Sequence, residues 1–315
     1  MKALIKQVDD ASAALAAELL DRGELVAFPT ETVYGLGADA ANDLAVASIF
    51  ETKGRPQFNP LIAHIADLAW IERFAVMTPV AKKLAENFLP GPLTMVMKRS
   101  ENCPISHLVC AGLDTVGVRF PVHAGAQKML KAFGRPVAAP SANISGTVSP
   151  TTAEHVAQGL GDKIPLILDG GACAVGVEST IVDVTTDSPA LLRAGGVAVE
   201  DIEGVLKKPL RRPEADPNAP RSPGQMLSHY APRLPVRLNA ERPEAGEAFL
   251  AFGAAENATL NLSPSGDLRE AAAHLFAYMR LLDDKKYTGI AVMPIPTQGL
   301  GLAINDRLKR AAYPH

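Results

Sequence analysis

Short apolar runs alternating with helix-length amphipathic stretches constrain this chain more than any other feature. Leu25 to Phe28, Leu61 to Ile65, Leu93 to Met97, Val116 to Phe120, Pro136 to Ala139, Leu166 to Leu168, Thr180 to Val184 and Leu191 to Arg193 read as strands. Between them, Asp10 to Gly23, the stretch from Asn42 through Phe50 to near Gly54, Pro79 to Asn87, Ala124 to Phe133 and Thr151 to Gly159 read as helices. Asn42 supplies an N-cap and Gly23 a stop. Strands interleaved with helices up to about residue 206 predict an α/β fold, with helices laid on a twisted, largely parallel or mixed sheet. The hydrophobic fraction of 47% with only 5% aromatic residues suits such layers. No repeat at a fixed period is visible, which argues against a solenoid or propeller.

The alternation stops at residue 207. From Lys207 to Pro235, seven of 29 residues are proline, and no helical or strand period is sustained. With 315 residues the chain exceeds the usual limit of one core, so the proline-rich stretch is read as a linker between two units. The expected organisation is a first domain over 1–206, a linker over 207–235 and a small α/β domain over 236–315. In the last, Ala248 to Phe252, Thr259 to Leu262 and Ile290 to Ile295 read as strands. Leu268, Ala272, Leu275, Met279 and Leu282 form one helical apolar face, and Leu302 to Ala311 a terminal helix.

A net charge of −3 gives no global pull toward nucleic acid. Cys103, Cys110 and Cys173 show neither a paired-cysteine motif nor the density of a disulfide scaffold, and fit small buried or loop hydrophobes in a reducing compartment. The N-terminal MKALIKQVDD lacks the apolar segment of a signal peptide, and no apolar run approaches bilayer length, so a cytoplasmic location without membrane contact is expected.

Several polar constellations interrupt the apolar pattern. Lys53-Gly54-Arg55-Pro56 sets two cations one residue apart on a helix-to-strand connection: either two solvated charges on a turn, or a clamp for polyphosphate. PTETVYGLG, from Pro29, reads as a glycine-hinged loop bearing hydroxyls and a carboxylate. His64 lies within an apolar strand, where a satisfied core histidine competes with a ligand-binding one. Arg119 also lies in an apolar strand and requires an anionic partner, which is either an internal Asp or Glu or a substrate carboxylate or phosphate. Ser141, Asn143, Ser145 and Ser149 gather small polar side chains before a helix start, as a turn or as a phosphate or ribose loop. Glu178-Ser179-Thr180 precedes a strand, and Arg193 ends another, where a solvated arginine is the plainer reading. Walker, dinucleotide-binding, zinc-protease and nucleophile-elbow motifs are absent, which withdraws support from covalent serine or cysteine catalysis. Cations, hydroxyls and backbone donors remain, a set suited to phosphoryl or nucleotidyl transfer.

Taken in order, PTETVYGLG, KGRP, NPLIAHI, PGPLT, TVGVRFP, APSANISG, ESTIVD, LLRAG and SPGQMLSHYAP resemble the threonylcarbamoyl-AMP synthase family, and GLGLAINDRLKRAA resembles the C-terminal domain of its longer, two-domain branch. The resemblance implies a YrdC-type mixed sheet with flanking helices, joined by the linker to a small Rossmann-like domain. It implies an enzyme that joins L-threonine, bicarbonate and ATP into threonylcarbamoyl-adenylate and pyrophosphate. A downstream threonylcarbamoyl transferase complex would use the product on tRNA. By the same resemblance Thr32, His64, Arg119, Ala139 and Ser179 would surround threonine. Lys53, Arg55, Asn59, Thr115, Ser141, Asn143, Ser149, Arg193 and Tyr230 would surround ATP, with Lys53 and Arg55 offsetting charge on the leaving pyrophosphate. Mg²⁺ would be held mainly through the ATP phosphates, with no protein metal ligand named. Ser222 to Pro232 would form a lid with His229 and Tyr230 nearest the nucleotide, or simply pack on the surface. Gln225-Met226-Leu227-Ser228 depart there from a more basic and aromatic family pattern. Two alternatives share the fold. A hydrogenase-maturation carbamoyl-transfer module carries cysteine pairs and an acylphosphatase region absent here, and an RNA-binding module predicts weak affinity that falls steeply with salt.

Overall fold

The structure, a computed structural model, describes residues 2–214, 220–224 and 229–313. In chain order the first unit comprises β1 (Leu4–Gln7), α1 (Asp10–Asp21), β2 (Val26–Phe28), β3 (Gly35–Asp39), α2 (Asp43–Lys53), β4 (Ile62–His64), a 3₁₀ turn (Leu68–Arg73), α3 (Pro79–Phe88), β5 (Leu93–Lys98), β6 (Thr115–Arg119) and α4 (Ala124–Phe133). It continues through β7 (Val137–Ala138), α5 (Ala153–Leu160), β8 (Leu166–Asp169), β9 (Thr180–Asp183), β10 (Ala190–Arg193) and α6 (Val199–Leu206). After the linker come β11 (Val236–Arg237), β12 (Glu247–Ala251), β13 (Leu260–Asn261), α7 (Leu268–Leu282), β14 (Gly289–Val292) and α8 (Leu300–Ala311).

Local chemistry sets the helix starts. Asp9 and Ser12 form a reciprocal capping box at α1, Asn42 accepts from the backbone of Leu44 and Ala45 at α2, and Thr78 caps α3 ahead of Pro79. The first ten strands form one sheet in the order β1-β8-β2-β3-β7-β4-β6-β5-β9-β10. It is mixed: β4 and β6 run parallel, as do β5 and β9, whereas β5 with β6 and β9 with β10 are antiparallel. One face buries Leu20, Phe28, Met129, Leu130 and Leu168 under α1 and α4. The other buries Ile49, Phe50, Leu84, Met95, Val118 and Ile202 under α2, α3 and α6. The last four strands form a separate parallel sheet, β11-β14-β12-β13.

The PTETVYGLG segment departs from its expected loop. Only its first half turns; Gly35 to Asp39 form β3, an internal strand paired with β2 and β7. Glycine disfavours strands intrinsically, but the Phe28 ring lies across both glycines, and a Cβ on Gly37 would sit 2.8 Å from a Val137 methyl. Tertiary packing therefore overrides propensity at that position. β1 and α6 also lay outside the sequence reading.

The two units share a core. Val33, Val148 and Val177 of the first unit and Tyr230 of the linker pack with Leu250, Leu275, Phe276, Ile304 and Leu308 of the second. Each such side chain contributes about 1.5–3 kcal/mol when fully buried, so the contact is part of the fold. Among the described residues, no helix is long and apolar enough to cross a membrane. Cys110 and Cys173 are buried free thiols and Cys103 is half-buried.

Candidate active site

Strand register brings the central polar groups together. His64 of β4 pairs with Arg119 of β6, and Arg119 pairs with Thr94 of β5. Thr94 Oγ1 in turn lies 2.8 Å from Ser179 Oγ, at the entry to β9. Around this row is a cavity of about 50 Å³ faced by Arg55, Arg119, Arg193, His64, Ala139, Ser141, Glu178, Ser179, Pro223, Gly224, His229 and Tyr230. Three guanidinium groups on so small a space repel one another unless an anion joins them.

Arg119 has an internal partner: its Nη2 donates to Glu31 Oε1 at 2.6 Å in a buried ion pair. Glu31 belongs to the part of PTETVYGLG that does turn. Yet Arg119 Nε and Glu31 Oε2 are buried with no hydrogen-bond partner, as are Asn143 Oδ1, Ser222 Oγ and His229 Nδ1. Unpaired buried polar atoms are costly, and two of these, Arg119 Nε and His229 Nδ1, belong to residues that line the cavity, as expected of a polar ligand site.

Arg193, whose plainer reading was a solvated side chain, is buried. A bulge between Leu191 and Arg193 shifts its register on β9 and turns the side chain inward. Its Nε and Nη2 donate to the Ser179 carbonyl at 3.2 and 3.0 Å, and Nη1 donates to the Pro223 carbonyl at 3.3 Å. One guanidinium thus ties β9 to the linker. Gly195 permits the approach, since a Cβ there would lie 2.3 Å from the Glu178 carbonyl oxygen.

The two cations of KGRP are both buried, so the solvated-turn alternative does not hold, but they do not share a target. Gly54, in the left-handed conformation, ends α2 and separates them. Arg55 turns toward the cavity and donates to the carbonyls of Asn59 and Pro60 at 3.3 and 3.0 Å. Lys53 points behind the cavity wall, donating to the Ser141 carbonyl at 2.6 Å and to that of Asn143. Burial, then the Arg55 charge, lowers the Lys53 pKa well below its ordinary value. Lys53→Ala should therefore cost about 2–4 kcal/mol of stability by orphaning two carbonyls. Urea denaturation checks this, and an unchanged midpoint would show that the ammonium does not hold this loop.

The other expected residues stand one layer out. Thr32 Oγ1 is 2.9 Å from Thr30 Oγ1, beside Arg119. Asn143 anchors its own loop through the Ile144 and Thr147 carbonyls. Ser149 donates to Glu178 Oε1 at 2.6 Å. Asn59 is buried beside Arg55. Thr115 faces a neighbouring smaller cavity with Pro60, Ser222 and Pro223. The structure brings Arg55, His64, Arg119, Ala139, Ser141, Ser179, Arg193 and Tyr230 to one cavity, and places Thr32, Lys53, Asn143 and Ser149 as their supports. Gln225 to Ser228 lie outside the described residues.

Burial dominates the electrostatics. It pushes His64 down to about 3, aided by Arg119, and His229 to about 3, so both rings are neutral at pH 7. Burial, then the Arg193 charge, draws Arg55 down to about 10, against the opposing influence of Tyr230. Glu178 runs the other way: burial raises it, but Arg307 and Arg193 outweigh this and hold it at about 2. Sequence reasoning did not place Glu31, Glu178 or Arg307 among the site residues. The available signal for Arg307 was its position on the apolar face of α8, in helical register with Ile304, Leu308 and Ala311.

The mixed sheet with flanking helices is that of the Sua5/YciO/YrdC class: a family model described as telomere recombination matches residues 18–195. A second, described as threonylcarbamoyl-AMP synthase, C-terminal domain, matches residues 197–313. The chain belongs to the threonylcarbamoyl-AMP synthase family. It is 40% identical to the threonylcarbamoyl-AMP synthase of Pyrococcus abyssi, with 98% of this chain and 96% of that one covered. To that of Bacillus subtilis it is 41% identical, over 96% and 94%. The crystal structure of P. abyssi Sua5 complexed with L-threonine superposes with a TM-score of 0.90 at 38% identity, covering 99% of this chain and 97% of that one.

Proposed function

We infer that the protein synthesises threonylcarbamoyl-AMP from L-threonine, bicarbonate and ATP, releasing pyrophosphate. The observation that carries this reading is the convergence of Arg55, Arg119 and Arg193 on one buried cavity with unpaired polar atoms at its wall. The family membership and the threonine-bound P. abyssi structure support it.

In this reading the threonine amine and bicarbonate condense to a carbamate with loss of water. A carbamate oxygen then attacks the α-phosphorus, and the bond to the β-phosphate bridging oxygen breaks with its electron pair leaving on pyrophosphate. Arg119 takes the amino-acid carboxylate through its unpaired Nε, in the planar fork geometry that suits it. Arg55 and Arg193 face the triphosphate and offset charge that builds on the leaving group. Lys53 acts indirectly, by holding the loop that presents Ser141. No nucleophile from the protein is required.

Among the described residues, no cluster of three or more His, Cys, Asp or Glu is placed to hold a metal ion. Glu178 and Glu31 are already engaged by arginine. Mg²⁺ on this reading is carried by the phosphate oxygens of ATP.

Pro223, Gly224, His229 and Tyr230 act as a lid. All four face the cavity, and about 50 Å³ is far below the roughly 300 Å³ or more that small-molecule sites usually offer. ATP entry therefore requires the lid to lift. The product passes to a threonylcarbamoyl transferase acting on tRNA, in the cytoplasm. A net charge of −3 favours neither this chain's own RNA binding nor the RNA-module alternative, and the match over 197–313 separates it from the hydrogenase-maturation one.

The test is pyrophosphate release from ATP by the purified protein. Release should require both L-threonine and bicarbonate, and equal rates without threonine would sink the reading.

A further inference from the structure

Arg307 heads the protein's large, fully buried side chains, and the chemistry above gives it no task. It comes from α8 of the second unit and does not face the cavity. Its Nε donates to Glu178 Oε2 at 2.8 Å, Nη2 to the Ala194 carbonyl at 3.0 Å and Nη1 to Asp306 Oδ2 at 2.7 Å. Its guanidinium carbon lies 5.1 Å from the centre of the Tyr230 ring. Tyr230 is held from its surroundings as well, stacked on Phe276 of α7 with ring centres 5.5 Å apart.

These contacts reach two parts of the site at once. Glu178, gripped through Oε2, accepts from Ser149 through Oε1. Tyr230 lies in the lid with φ of 63°, a left-handed backbone that a bulky residue adopts only when its surroundings impose it. A second arginine of the same unit, Arg280, donates to the Val148 carbonyl next to Ser149. An interface that needed only packing could use hydrocarbon of the same length, without burying a charge. What the guanidinium adds is a fixed direction for a carboxylate and a cation against an aromatic ring.

We propose that Arg307 is a positioning residue through which the C-terminal unit sets the active site, orienting Glu178 and thereby Ser149 while bracing Tyr230 of the lid over the cavity. The proposal rests on the adenylate-synthesis reading. Ser149 and Tyr230 belong to the expected ATP side, so loss of Arg307 should weaken the use of ATP more than that of threonine. The charged and titratable groups facing Glu178 are Arg307, Arg193, His229 and Tyr230. With Arg307 gone, only Arg193 and the Ser149 hydrogen bond oppose the effect of burial, and the Glu178 pKa rises. Glu178 would then protonate within an accessible range, and activity would fall as pH falls through that raised value.

The experiment compares full-length wild type, Arg307→Lys, Arg307→Met and Arg307→Met/Glu178→Gln by pyrophosphate release, from about pH 5 to about pH 9. Arg307→Met should lose about 10²-fold in kcat/KM for ATP, change the threonine KM less than about 3-fold, and acquire a new acid limb. Arg307→Lys should recover part of the loss. The double variant should lack the new limb, because no carboxylate remains to titrate, while staying slow with ATP. If Arg307→Met does not fold, the double variant, freed of the unpaired buried charge, decides through its ATP kinetics. Wild-type kcat/KM for ATP in whichever of these variants folds, or an Arg307→Met pH profile superimposable on wild type, would overturn the proposal. A wild-type enzyme whose release ignores threonine would instead remove the parent reading, and that result is seen before any variant is compared.

Discussion

Arg55→Ala is expected to lower threonine-dependent pyrophosphate release by about 10³-fold or more, the range in which arginines that offset charge in phosphoryl transfer operate. Arg55 is buried, faces the cavity and shares it with Arg193. Its cost to the empty fold is burial and, after that, repulsion from Arg193, which together lower its pKa, and a triphosphate in the cavity offsets both. The variant should remain folded, because removing one of several crowded cations relieves repulsion, although the carbonyls of Asn59 and Pro60 lose a donor. Arg55→Lys should restore little, since a point charge cannot reproduce the fork. Release assayed at saturating threonine checks the effect; a loss below about 10-fold would show that Arg55 does not meet the leaving group.

Arg119→Met should raise the KM for threonine by about 10–100-fold, the worth of charged hydrogen bonds to a carboxylate. The single variant also strands Glu31, which the structure pairs with Arg119 at 2.6 Å in a buried bridge. That stranded charge costs about 3–5 kcal/mol of stability and could mimic a binding defect. Arg119→Met combined with Glu31→Gln separates the two effects: stability should largely return while the threonine KM stays high. A double variant with a normal threonine KM would move the carboxylate site away from Arg119. Varying threonine at fixed ATP and bicarbonate reads the difference.

Periodicity in the sequence located elements wherever apolar spacing matched a geometry. Helices α1, α2, α3, α4 and α7 fall close to their expected spans because each joins a period to a cap or stop residue. β3 was hidden because two of its five residues are glycine, and its strand state depends on a Phe28 ring contributed by the neighbouring strand. The polar site residues were visible for a different reason. A buried strand shows few polar side chains, so His64 and Arg119 stand out against their apolar neighbours. Glu178 was only one carboxylate in a loop, where no period separates a buried charge from a solvated one. Arg307 was one cation among several in a terminal helix, marked only by its register with Ile304, Leu308 and Ala311.

By itself the sequence determined the α/β class and the ordered motifs of the family, because these follow from composition and spacing along one dimension. Only the tertiary structure decided what each charge meets. Lys53 and Arg55, two residues apart, take separate tasks because a left-handed Gly54 turns the chain between them. Arg119 finds Glu31 across the sheet, and Arg307 reaches from the far end of the chain to Glu178. A long side chain chooses its partner by distance through space and by the cost of burying charge, and neither quantity is carried by the order of residues.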